Sequence, residues 1–288
     1  MSIYEHLATP EGVPVCLFCL TPIESQRARS KEHLLAKSWS TLLDPATSTY
    51  TPDQWHQTRH GEWVQRQEDR HAKPPFATTV PVVCHKCNNE WMSQLEDRVK
   101  PILWPLAQGK TAVITRAEGA VIAQWMAKTA LVLESSTPPG EAKAQNGVHN
   151  FNVMNAAYAD TYPVQFATWA FPVVPNETTQ MRSKVGTVFF GDHPCTGHHV
   201  RASLVQIREI AICSVHAADR RVWEQRVQPF LAVAAPALFP EYGDFHLHRD
   251  EAFGVDRADA LALDLLRGII GEPTFRPPAA SPKSGTPD

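Results

Sequence analysis

Two cysteine pairs, Cys16-x-x-Cys19 and Cys84-x-x-Cys87, are the residues whose type and spacing most directly imply chemistry. Two residues between cysteines let a tight knuckle aim both thiolates at one ion, with Zn–S near ~2.3 Å, and two such knuckles complete a tetrahedron. A disulfide framework suits a small exported domain rather than a reduced chain of this length, and burial as small hydrophobes requires no repeated spacing. A structural zinc on Cys16, Cys19, Cys84 and Cys87 is therefore expected. The 64 residues from Leu20 to Val83 far exceed the ~15–20 of compact fingers, so a folded insertion must reunite the knuckles. Of the two remaining cysteines, Cys195 stands in a polar loop and Cys213 in the apolar run Ile207 to Val215, where a core position is expected.

A second group of reactive side chains lies between and just after the knuckles. Ser30-Lys31-Glu32-His33-Leu34-Leu35 places a carboxylate beside an imidazole, and Asn88-Asn89 follows the last cysteine to open Glu90-Trp91-Met92-Ser93-Gln94-Leu95-Glu96. Hydrolysis of a phosphodiester needs a water stripped of its proton near neutral pH, which an imidazole of reference pKa about 6.5 can do. It also needs positive charge at the phosphoryl group and the departing oxygen, which Mg²⁺ held by few protein oxygens and several waters can supply. Each piece alone has an ordinary explanation. Glu32 could be solvated while His33 packs on Leu34 and Leu35, and one of Asn88 and Asn89 suits the N-cap of a helix defined by Trp91, Leu95 and Val99. His85 is expected to be an exposed knuckle residue.

Taken together, C-x-x-C, then an acidic residue followed by histidine, then C-x-x-C-N leading into a helix, resembles the HNH or ββα-metal endonucleases in their zinc-bearing, four-cysteine form. The resemblance covers roughly residues 13 to 103. It implies a zinc-clamped hairpin and helix carrying a metal-dependent site for cleaving DNA. By position, it makes His33 the general base, and Glu32 and Asn88 the protein ligands of a catalytic Mg²⁺ or Mn²⁺. Two departures are visible: the acidic position is Glu rather than the common Asp, and Leu34 to Val83 contains no asparagine, although the family usually carries one there. A zinc-stabilised module that binds nucleic acid or protein without cutting is the alternative reading.

These groups must be held by a fold of 288 residues, 43% hydrophobic and 20% charged, enough for a substantial core and too apolar for disorder as the main state. A net charge of −3 confines any nucleic-acid surface to a local patch. Such a patch is suggested by Arg27, Arg29, Lys31 and Lys37, and by an insertion at about 44–75 that carries His56, Arg59, His60, Arg66, Arg70, His71 and Lys73 interleaved with Trp55 and Trp63, for which a charged, solvated surface loop is the equal alternative. No apolar run approaches the ~20 residues of a spanning helix, and the first residues do not read as a signal peptide, so a soluble, cytoplasmic protein is expected. The 24 prolines argue against long uninterrupted helices.

The expected fold class is α+β. Residues 1–110 would form the zinc module, 111–271 an α+β domain, and 272–288, rich in proline, a disordered tail. Within the second part, Val121, Ile122, Trp125, Met126, Thr129, Val132 and Leu133 recur at helical spacing over Ala117 to Ser135. Val164–Val174, Val185–Phe190, Val200–Val215 and the weaker Val227–Val233 read as strands of an antiparallel sheet, and Arg257–Ile270 as a last helix. A cluster of Asp192, His193, Cys195, His198 and His199 falls between two expected strands without the spacing of a recognised metal site.

Overall fold

The computed structural model describes residues 12–25, 28–44, 48–50, 54–57, 63–66, 74–110, 113–134, 166–173, 179–189, 197–217, 220–229 and 245–246. In chain order the elements are β1 (Arg29–His33), a 3₁₀ turn (Lys37–Thr41), β2 (Ser48–Tyr50), β3 (Gln54–Gln57), β4 (Trp63–Arg66) and β5 (Thr79–Cys84). Then follow α1 (His85–Cys87), a π-helical turn (Asn88–Met92), α2 (Ser93–Ala107), β6 (Val113–Ile114) and α3 (Arg116–Glu134). The last part holds β7 (Phe166–Pro172), β8 (Thr179–Phe189), β9 (Gly197–Ile207), β10 (Ile210–Ala217), α4 (Arg220–Val222) leading into a second π-helical turn (Trp223–Val227), and β11 (Phe245–His246). The expected helix at Arg257–Ile270 and the tail 272–288 lie outside the described residues.

The amino-terminal part is a two-stranded antiparallel sheet, β1 against β5, followed directly by the helical run α1–α2. Contrary to the expectation drawn from proline content, that run continues from His85 to Ala107 through Pro101 and Pro105. The prolines stand four residues apart, outside the buried stripe of Met92, Leu95, Glu96, Val99, Leu103 and Leu106, so the backbone bonds they remove are not on the packed side. Gln108 caps α2, and Gly109 follows at φ 72°, a left-handed conformation that glycine enters without a Cβ clash.

α3 begins with reciprocal bonds the hydrophobic spacing did not reveal. Glu118 N–H donates to Thr115 Oγ1 (3.2 Å), while Thr115 N–H and Oγ1 donate to Glu118 Oε2 (2.9 and 2.7 Å). From Ile122 to Leu133 every residue of α3 is buried, as expected of a helix covered on all sides. α2 covers one side and the five-stranded sheet the other.

That sheet has the order β2-β8-β9-β10-β7. β8, β9, β10 and β7 are antiparallel neighbours, as the sequence pattern predicts, but the expected run Val200–Val215 divides at Arg208-Glu209 into the paired strands β9 and β10, and Val227, expected to open a strand, closes the second π-helical turn; β2 comes from the insertion and joins the edge parallel to β8. Alternate residues serve opposite faces. Ile210 and Ile212, with Val205 and Ala170, join the core shared with α2 and α3; Ala211, Cys213 and Val215, with Trp169 and Leu204, form a second core against Val222, Trp223 and Val227. Cys213 is thus a core residue. Because both faces are covered, β10 is buried along its whole length and reads as a continuous apolar run.

The first of these cores extends without interruption from Cys16 in the first knuckle through α2 and α3 to Ile212 in the sheet. At the β9–β10 turn, Arg208 (φ 52°) lies 6.0 Å from the Trp104 ring centroid and Glu209 N–H reaches Ala107 O at the end of α2 (3.4 Å). No helix among the described residues is long and apolar enough to cross a membrane.

Candidate metal centre and adjoining cleft

The first knuckle is a tight turn. Cys16 N–H donates to Thr21 O (2.9 Å), Leu20 N–H to Cys16 O (3.0 Å), and Leu20 adopts φ 58°, uncommon for a residue with a branched side chain. Leu17 N–H donates to Val82 O (2.8 Å), fastening this turn to β5, and Phe18 meets Trp91 edge-on at 5.0 Å between centroids. The second knuckle is the junction of β5 and α1, where Cys84 Sγ caps the helix by accepting from Cys87 N–H (3.5 Å). This corrects the capping expected of Asn88 or Asn89: the helix starts at His85, so both asparagines lie within it and project from its first turns. His85 is exposed, as expected.

The four sulfur atoms of Cys16, Cys19, Cys84 and Cys87 all lie within 4.8 Å of one another. A tetrahedron of Zn–S bonds has sulfur–sulfur edges of about 3.8 Å, and Cys19 Sγ lies 3.7 Å from Cys84 Sγ. Backbone N–H groups also point at the sulfurs, Cys84 N–H reaching Cys16 Sγ at 3.3 Å. The Cys87 thiol and these backbone donors together overcome burial and lower the Cys16 pKa to about 5, whereas hydrogen bonding to Cys16 and then burial push Cys87 up. One sulfur is therefore a ready thiolate in a ring of soft donors, and the site can hold a structural metal such as zinc.

Beside this centre lies a cleft of about 220 Å³ lined by Glu32, His33, Ala36, Lys37, Ser38, Asn88, Asn89, Met92, Ser93, Glu96 and Asp97. The three side chains singled out in the sequence, Glu32, His33 and Asn88, thus meet on one surface. A register shift between Ser30 and Glu32 in the β1–β5 ladder accompanies this arrangement; such bulges re-aim side chains. Asn88 Nδ2 donates to Ser30 Oγ (2.5 Å), and its amide oxygen has no partner among the described residues. His33 Nδ1 is enclosed and likewise without a partner among the described residues.

Sequence reasoning missed the floor of the cleft. Lys128, fully buried on α3, donates to Glu96 Oε1 (2.6 Å) and to Glu32 Oε1 (3.4 Å). Glu96 also accepts from Trp125 Nε1 at Oε1 (2.8 Å) and from Trp39 Nε1 at Oε2 (3.0 Å). Burial pulls Lys128 towards the neutral form, but Glu96 and Glu32 outweigh it and hold the ammonium above its ordinary range. Burial pushes the Glu32 carboxyl up, against the pull of Lys128 and with the help of Glu96. The detectable signals were an acidic residue on the apolar stripe of α2 and a lone lysine in the covered length of α3.

Among the expected basic residues, Lys31 and Lys37 are exposed and Arg29 is half-buried, while Arg27, Arg59, His60, Arg70, His71 and Lys73 lie outside the described residues. Within the insertion, β3 and β4 form a hairpin pairing Trp55 with Gln65 and Gln54 with Arg66. Of the second histidine-rich group, Asp192, His193 and Cys195 lie outside the described residues, and His198 and His199 stand in β9 opposite Val188 and Thr187. Comparison with family models, with curated proteins and with solved structures finds no match to this chain.

Proposed function

We propose that the chain is a metal-dependent endonuclease of the HNH type that hydrolyses phosphodiester bonds in DNA. The observation that carries this reading is the meeting of Glu32, His33 and Asn88 in one cleft, beside a four-cysteine centre and on an antiparallel pair that runs into a helix. Zinc on Cys16, Cys19, Cys84 and Cys87 serves the frame, since four sulfur ligands leave no open position for substrate. A divalent cation such as Mg²⁺ or Mn²⁺, held by Glu32 and Asn88, would supply positive charge at the phosphoryl group and the departing oxygen.

The remaining work belongs to the chain's own groups. His33 takes a proton from the attacking water; the ring nitrogen other than the enclosed Nδ1 is the one suited to this. Ser30 accepts from the Asn88 amide nitrogen and so leaves the harder amide oxygen for the cation. Lys37, which lines the cleft, offers a phosphate contact at its rim, and the exposed Lys31 of β1 offers another nearby in sequence. The reading is tested by nicking of supercoiled plasmid with Mg²⁺ or Mn²⁺, comparing wild type with His33→Ala. A binding module without catalysis is favoured instead by the ion pair of Glu32 with Lys128 and by the lack of a partner for His33 Nδ1 among the described residues; it predicts DNA retention with no cutting under any divalent ion.

A further inference from the structure

Lys128 poses a physical question that the endonuclease reading does not answer. A fully buried lysine is costly even when paired, and matched apolar residues commonly serve a core as well or better, so stability alone gives little reason for its presence. Its partners are unequal. Glu96 holds it closely at 2.6 Å and is itself fixed by two indole N–H groups, one of them from Trp125 a turn earlier on α3. Glu32 receives the looser contact, 3.4 Å to Oε1, and its side chain makes no other hydrogen bond or ion pair among the described residues. One oxygen of Glu32 therefore faces the interior ammonium while its carboxylate borders the cleft.

We infer that Lys128 is a positioning residue: anchored by Glu96, Trp39 and Trp125, it fixes the Glu32 carboxylate so that its second oxygen can bind a divalent cation in the cleft. This rests on the reading of Glu32 as a cation ligand. It gives α3 a share in the site, because the group that orients a ligand from β1 comes from beyond residue 111. Ligating carboxylates generally need such a hydrogen-bonded support, and its loss commonly weakens metal affinity by about 10–100-fold.

The sign of the effect separates positioning from simple charge. An ammonium that only repels a nearby cation would, on removal, leave tighter binding; one that orients the ligand leaves weaker binding. The experiment uses zinc-loaded full-length protein and measures Mn²⁺ affinity by electron paramagnetic resonance for wild type, Lys128→Met, Glu32→Gln and the Lys128→Met/Glu32→Gln pair. Zinc content and thermal midpoint are recorded for each. Lys128→Met/Glu96→Gln is carried in parallel, since neutralising the closer partner as well leaves only Glu32, which borders the cleft, without its cation if Lys128→Met alone fails to fold.

The expected result is Mn²⁺ binding weakened about tenfold or more by Lys128→Met or by Lys128→Met/Glu96→Gln, with the Lys128→Met/Glu32→Gln pair no weaker than Glu32→Gln alone. Unchanged or tighter Mn²⁺ binding on loss of Lys128, with Glu32→Gln still weakening it, overturns the positioning role and leaves the cation site standing. A wild-type protein whose Mn²⁺ binding is absent or indifferent to Glu32→Gln overturns the ligand reading itself, and the positioning role with it.

Discussion

Replacing Glu96 by Leu removes the group on which three buried donors converge: Lys128 Nζ at 2.6 Å, Trp125 Nε1 at 2.8 Å and Trp39 Nε1 at 3.0 Å. Lys128 then keeps only Glu32, at 3.4 Å, and both indole N–H groups lose their acceptor. Breaking a buried ion pair from one side costs about 3–5 kcal/mol because a charge is left uncompensated. For a chain of this size each kcal/mol moves the thermal midpoint by about 2–4 °C, so a fall of roughly 6–20 °C is expected. Glu96→Leu combined with Lys128→Met removes the stranded ammonium but leaves two indole N–H groups without their acceptor and Glu32 without its cation, so its midpoint should stay below wild type yet lie above the value expected from adding the single-variant losses. The assay is thermal unfolding of the zinc-loaded protein followed by far-ultraviolet circular dichroism, with tryptophan fluorescence reporting on Trp39 and Trp125. A single variant that loses less than about 1 kcal/mol, or a pair whose losses simply add, would refute a buried charged network on the cleft floor.

Cys84→Ser should release zinc and unfold the knuckles with β1, β5 and α1, because metal binding and folding are coupled there; elemental analysis should give about one zinc per wild-type chain, and none in folded protein would contradict the site. Glu32→Gln should raise the midpoint of zinc-loaded protein free of other divalent ions at pH 7, because burial disfavours the wild-type carboxylate. The sign follows from a folded-state pKa above the unfolded one: the wild-type side chain's contribution is intact below the ordinary value of 4.5 and is lost as pH rises through the folded value, so the advantage of Gln should vanish in acid. Neutralising Lys31 and Lys37 together should flatten the salt dependence of DNA binding by about two phosphate contacts, measured by fluorescence anisotropy at several salt concentrations; an unchanged slope would remove them from the interface.

The parts legible in the sequence were those written in local spacing. The cysteine knuckles needed only their two-residue gaps, α3 its periodic apolar stripe, and the strands of the main sheet their β-branched and aromatic runs, although the turn at Arg208-Glu209 that divides β9 from β10 carried no such signal. What escaped was long-range pairing. No local pattern announces that β2 joins the sheet parallel to β8, since Ser48 meets Thr179 only through the tertiary fold. Pro101 and Pro105 misled because the cost of a helical proline depends on which side of the helix is packed, and here both avoid the buried stripe. A cap at Asn88 or Asn89 was the wrong expectation because caps and polar site residues share composition; Cys84 Sγ takes the cap, and Asn88 reaches Ser30. Glu96 and Lys128 escaped because each, taken singly on its own helix, resembles an ordinary charged residue, and only the crossing of α2 and α3 reveals the pair.

The central claim is that His33 removes a proton from water at a cation-bearing cleft, and the most direct measurement is plasmid nicking by zinc-loaded protein. Wild type and His33→Ala are assayed with Mg²⁺, with Mn²⁺ and with chelator chosen to spare the zinc, alongside zinc content and DNA affinity. Divalent-ion-dependent nicking by wild type, lost by at least about 100-fold in His33→Ala while zinc and DNA binding persist, is the predicted result. Equal cutting by His33→Ala, or no cutting by wild type with either ion, would contradict it.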